Sequence, residues 1–134
     1  MCIDFHFTLL VCENWMRPDM SIWETRGELR HFLYSKVMCW VAVDRGSVAY
    51  FHHASRLSAG IRFVEKRSLP CPNRENWYKV RDEIYEEIMQ KGWCSKKQCF
   101  TQSYESAVNG YPTKGMECTL DAAVLIMPMT FFMR

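Results

Sequence analysis

Lys36-Val37-Met38-Cys39-Trp40-Val41-Ala42-Val43-Asp44 is an unbroken apolar run between one lysine and one aspartate. It leaves no polar stripe to face water, and a helix apolar on every side belongs inside a layered protein, covered on both flanks. This second helix is predicted to begin near His31 and run through Asp44. Upstream, a first helix is expected from Ile3 to Trp15, stopping before Pro18. Downstream, Pro72-Asn73 supplies a stop and a cap, and Trp77, Val80, Ile84 and Ile88 follow at helical intervals. That pattern predicts a third, amphipathic helix with one buried stripe. Lys79 and Glu83 stand one turn apart as a surface pair, and Gly92 closes the helix after Lys91. A fourth helix should open with Thr119 as N-cap and Asp121 in its first turn, where a carboxylate suits the helix dipole. From Ala122 to Met133 it carries no charge, and Pro128 should kink it. Gly46 to Gly60 and Asn109 to Gly115 read as breaks. The fold class is all-α. Four helices cannot easily bury two that are apolar all round, so the chain either self-associates through exposed apolar helices or belongs to a larger body.

The composition sets the class. A chain of 134 residues suits one domain, and 49% hydrophobic with 24% charged residues is ordinary for a globular protein. Acids and bases are mixed, with a formal net charge of +2. This excludes the clustered basic face that nucleic acid requires. No apolar stretch reaches the roughly 20 residues that would span a membrane. The start, Met1 to Phe7, has no basic region and contains Asp4, so a secretory signal is not expected. The Cys count is seven, which is odd, and Cys2, Cys12, Cys39, Cys71, Cys94, Cys99 and Cys118 are scattered. They read as thiols in a reducing compartment, hence a cytoplasmic location, with Cys39 a small buried apolar group. Zinc at Cys94 and Cys99 would need a second close Cys/His pair, which is missing. Neither a metal nor a cofactor is expected.

The chemistry is concentrated in Pro18-Asp19-Met20-Ser21-Ile22-Trp23-Glu24-Thr25-Arg26-Gly27. A carboxylate directly beside Trp, in a loop ahead of a buried helix, has two readings. An indole wall lowers the local dielectric and holds a carboxyl protonated, as a glycosidase acid must be. Alternatively Trp23 is a packing residue and Glu24 a solvated or Arg26-paired charge.

Ile22-Trp23-Glu24-Thr25-Arg26-Gly27, then Arg30-His31-Phe32 and Tyr34 to Arg45, resemble glycoside hydrolase family 15, the glucoamylase and trehalase family. So do Gly92-Trp93, Phe100-Thr101-Gln102-Ser103-Tyr104 and Leu120-Asp121-Ala122-Ala123-Val124-Leu125-Ile126-Met127-Pro128. The blocks stand in the family's order and cover about two thirds of the chain. The resemblance implies a partial (α/α)6 barrel, about four helices of the full toroid, with the second and fourth helices inner and the third outer. It implies inverting hydrolysis of an α-glucoside or oligosaccharide, with Glu24 as general acid and Trp23 as a sugar-contacting wall. Arg26 either reaches a substrate hydroxyl or holds Glu24. Gln102, Tyr104 and Asp121 lie in matching blocks without an assigned role; capping accounts for Asp121.

Inversion needs a second carboxylate roughly 6.5–9.5 Å from the first, and the family's base lies C-terminal of the Leu-Asp-Ala block. Among the other acids, Glu83, Glu86 and Glu87 belong to the solvent face of the third helix and Asp44 ends the second. The chain is expected to be a single incomplete domain with non-family insertions near 47–60 and 107–118, as a truncated or mis-spliced gene would encode. An inactive fragment, or a small helical structural or interaction protein, is the alternative.

Overall fold

The computed structural model describes residues 3–24, 29–52, 74–104 and 119–133. Helix α1 (Ile3–Asn14) ends close to its predicted limit. Its last turn continues through a bond from Trp15 N to Val11 O (2.9 Å). The carbonyls beyond it, left without donors at a helix C-terminus, are met by Lys36: its ammonium donates to Trp15 O and to Arg17 O (3.2 Å). Lys36 is only 1% exposed. Burial pushes its pKa below the ordinary value, partly countered by Cys39 and Glu87.

Helix α2 (Leu33–His52) is the element on which α1 and α3 (Arg74–Lys91) both pack. It runs past Asp44 into the stretch expected to be a break. A single Gly46 costs about 1 kcal/mol relative to Ala, and no proline follows to end the helix. Asp44 therefore lies within α2 and faces Arg81 of α3 (3.8 Å). Leu33, Val37 and Val43 are buried, but Met38 is exposed and Trp40 and Val41 are half-buried. Among the described residues α2 is thus not enclosed on all sides as predicted.

His31 and Phe32 do not open the helix. They form a short strand, β1 (His31–Phe32), paired antiparallel with β4 (Ser103–Tyr104), with His31 opposite Tyr104. A second such pair joins β2 (Trp93–Cys94) to β3 (Cys99–Phe100). The architecture is mainly helical rather than wholly so.

On α3 the predicted stripe is buried: Trp77, Val80, Ile84 and Ile88 join Leu33 and Val37 in one core. Lys79 and Glu83 pair at 3.7 Å. Pro72 and Asn73 lie outside the described residues. Gly92 closes the helix for want of space rather than through left-handed backbone: a Cβ there would stand 2.5 Å from Leu33 Cδ1 and 2.6 Å from Ile88 O.

The fourth helix differs most. Asp121, not Thr119, is the N-cap, with its Oδ1 accepting from Ala123 N (2.9 Å). A 3-10 turn (Ala122–Leu125) leads into the four-residue α4 (Ile126–Met129), and the chain then turns at Phe131, whose φ is 60°. Met127 and Phe132 enter the core, while Leu125 and Met129 are exposed. The charge-free run had no helical period to hold it longer, and Pro128 removes a backbone donor.

Cys12, Cys39 and Cys99 are free. Burial, reinforced by Glu13, pushes the Cys12 thiol up to about 11, and burial raises Cys39 too. Both stay protonated near neutrality. The expectation of thiols throughout fails at Cys94, which is disulfide-bonded. No helix of the described residues is long and apolar enough to cross a membrane.

Glu87 also departs from its predicted solvent face. Its carboxylate accepts from Tyr104 Oη (2.8 Å) and Lys91 Nζ (3.1 Å), tying α3 to β4. Burial raises its pKa, but the bonds from Tyr104 and Lys91 outweigh it and the net shift is downward from 4.5. The folded state then holds fewer protons than the unfolded one just below pH 4.5. This contribution to stability is full above that pH and is lost as pH falls through the lower folded value. In Glu87→Gln the melting temperature should vary less between pH 5 and 3 than in the wild type; an identical acid limb would refute the link.

Candidate active site

The loop carrying the predicted acid is closed at its neck. Asp19 N donates to Arg30 O (2.8 Å) and Arg30 N to Asp19 O (3.0 Å). The Asp19 side chain secures the neck to its surroundings: Oδ1 accepts from Ser35 Oγ on α2 (2.8 Å) and from Ser21 N (2.5 Å). A short polar residue bonding the backbone two positions on is what nucleates such a turn. Beneath it lies His31, stacked on Tyr104 with ring centroids 5.7 Å apart. Burial, then Lys36, holds the His31 pKa below its ordinary value, so the imidazole is neutral near pH 7.

Residues 21–24 form a turn with two non-glycine residues in left-handed backbone, Ser21 (φ 62°) and Glu24 (φ 44°). Such backbone costs of order 1–3 kcal/mol and persists where the surroundings impose it, often at functional sites. Glu24 is exposed. Trp23 is 61% exposed, so the described residues do not enclose the carboxyl behind an indole wall. Arg26 lies outside the described residues.

The indole is nonetheless fixed. Trp23 Nε1 donates to Asp121 Oδ2 (3.1 Å), across 98 positions of sequence. Gln102 Nε2 donates to the same oxygen (3.3 Å). Gln102 is itself held by its backbone, accepting from Leu33 N (2.9 Å) and donating to Thr119 O (2.7 Å). The structure thus brings together Trp23, Gln102 and Asp121, from three of the blocks quoted above. Capping does account for one oxygen of Asp121, but not for the other. Glu83 and Glu86 are exposed on α3, and Asp44 is engaged with Arg81. A groove lined by Trp40, Asp44, Arg81, Asp82, Tyr85, Phe131 and Phe132 includes neither Trp23 nor Glu24. Among the described residues no three side chains are grouped as a metal would need.

Residues 8–134 match the family described as Glycosyl hydrolases family 15. The chain is 34% identical over 121 residues to a trehalase of Mycobacterium tuberculosis, covering 90% of this chain and 14% of that protein. It is 31% identical over 118 residues to a trehalase of Thermoplasma volcanium, covering 88% and 15%. A segment of 35 residues is 54% identical to Trehalase 1 of Sulfolobus acidocaldarius, covering 26% and 6%. The chain therefore spans about one seventh of the length of the first two relatives. No solved structure is significantly similar. With the match running through nearly all of its length, the chain belongs to glycosyl hydrolase family 15.

Proposed function

We propose that this chain contributes the acid half of an inverting hydrolysis of α-glucosidic bonds, of the glucoamylase and trehalase type. The reading is carried by one observation: an exposed carboxylate, Glu24, sits in strained left-handed backbone next to an indole whose N–H is fixed by a carboxylate. Glu24 donates its proton to the leaving glycosidic oxygen as the bond from the anomeric carbon breaks. Trp23 offers an open ring face to the apolar side of the sugar, and Arg26 is assigned to the substrate or to Glu24. Water attacks from the opposite face, activated by a base to be sought outside the described acids. The relatives' names favour trehalose as substrate. The domain is proposed as one piece of an (α/α)6 barrel, interrupted near 47–60 and 107–118.

The stereochemistry of the first product tests the mechanism. The 134-residue protein is incubated with maltose and followed by proton NMR before mutarotation. Inversion releases β-glucose from the non-reducing end, in excess over the anomeric mixture that the reducing end supplies; α-glucose from the non-reducing end would end the proposal. A second reading, a helical piece with no turnover of its own, is favoured by the engagement of the neighbouring carboxylates: Asp19 accepts from Ser35 and Ser21, and Asp121 from Trp23, Gln102 and Ala123. It predicts that no glucose forms above background.

A further inference from the structure

We propose that Asp121 is a positioning residue, which sets the plane of the Trp23 indole against the sugar and holds the turn that carries Glu24. This rests on the reading of Glu24 and Trp23 as acid and sugar wall. An N-cap needs one acceptor oxygen, which Asp121 supplies through Oδ1 to Ala123 N. Serine or asparagine would cap as well. Its second oxygen instead collects Trp23 Nε1 and Gln102 Nε2. The indole N–H is a donor only and lies in the plane of the ring, so engaging it stops rotation of the ring while leaving its faces clear for stacking. A bond to a charged acceptor is about twice as strong as a neutral one. The acceptor does not drift, because the Gln102 backbone is tied both to Leu33 at the head of α2 and to Thr119, two residues before Asp121. A side chain held in its working geometry before substrate arrives lowers the ordering cost of binding. Glu24 follows Trp23 directly in the same strained turn, so what fixes one limits the other.

Asp121→Ser separates the two jobs, since serine keeps the cap and loses the reach to Trp23. With 15N-labelled tryptophan in the 134-residue protein, the Trp23 indole signal is assigned by its loss in Trp23→Phe, and maltose is titrated against it and against intrinsic fluorescence. In Asp121→Ser the Trp23 signal should move to the position of a free exposed indole while the melting temperature changes by no more than about 2 °C. The maltose Kd should rise about tenfold, the loss expected for one bond to a charged acceptor. Trp23→Phe should weaken maltose similarly, and the double variant no further, because both remove the same bond. An unchanged Trp23 signal and an unchanged Kd in Asp121→Ser would leave Asp121 a cap alone and overturn the inference. Should Asp121→Ser not fold, Trp23→Phe at its exposed position carries the test, and unchanged maltose binding there is equally fatal. Altered binding in Asp121→Ser with normal turnover in Glu24→Gln would remove the acid reading and keep the positioning one; the reverse would do the opposite. A wild type that binds no maltose overturns both.

Discussion

Glu24→Gln is expected to lower the turnover of trehalose or maltose by roughly 10²–10⁴-fold, the usual share of a positioned proton donor. A sugar alkoxide is a poor leaving group, so most of the barrier to breaking its bond is relieved by protonation. A dinitrophenyl α-glucoside departs without that help, and its turnover should fall little in the same variant. Glutamine makes the same demands on the left-handed backbone as glutamate, and with the side chain exposed the change should leave folding nearly untouched. Steady-state rates on the two substrates, with a thermal melt alongside, make the measurement. Equal losses on both would show that Glu24 holds something in place rather than giving up a proton, and no loss on either would remove it from the reaction.

The other large effect concerns the core. Gly92→Ala is expected to destabilise the fold by about 3 kcal/mol, at the upper end of overpacking costs. Of the two atoms a Cβ would strike, Leu33 Cδ1 belongs to a side chain with no exposure and little room to turn. The other, Ile88 O, is backbone and already accepts from Gly92 N at 2.8 Å. Moving Gly92 away is opposed from its far side, where its carbonyl accepts from Thr101 N (2.9 Å) and Thr101 Oγ1 (3.2 Å). Relief at one atom therefore strains another. A melt of Gly92→Ala should show a midpoint lower by roughly 10 °C for a chain of this size. Adding Leu33→Val should recover only part, because the clash with the carbonyl remains. A midpoint within about 2 °C of wild type would mean that the Ile88–Gly92–Thr101 backbone yields more readily than its bonds imply.

Helix α3 could be read from sequence because Trp77, Val80, Ile84 and Ile88 repeat at the helical period and one flank meets water. Charge alone sets Glu87 on the solvent face, but its position beside Ile84 and Ile88 puts it at the edge of the buried stripe, where Tyr104 and Lys91 receive it. A charge closes the apolar run at Asp44, yet charge does not stop a helix, and α2 continues to His52. The segment from Ala122 to Met133 has composition but no period, so its short helix and the turn at Phe131 left no trace to read. At the site, Trp23 and Glu24 stand out as residue types. Their tie to Asp121 and Gln102 joins loops far apart in the chain, and no spacing rule reaches that distance. Membership of matching blocks was the one sign that those two residues belonged with Trp23.

The buried ammonium of Lys36 has a consequence for how the molecule comes apart. Its partners, Trp15 O and Arg17 O, belong to the end of α1 and not to its own helix. If α1 peeled away, water would solvate the ammonium in place of those two carbonyls, so the cost of burying the cation falls on the docking of α1 and is offset only when both acceptors are in place. Lys36 thereby specifies the seat of α1 on the second helix more than it strengthens it.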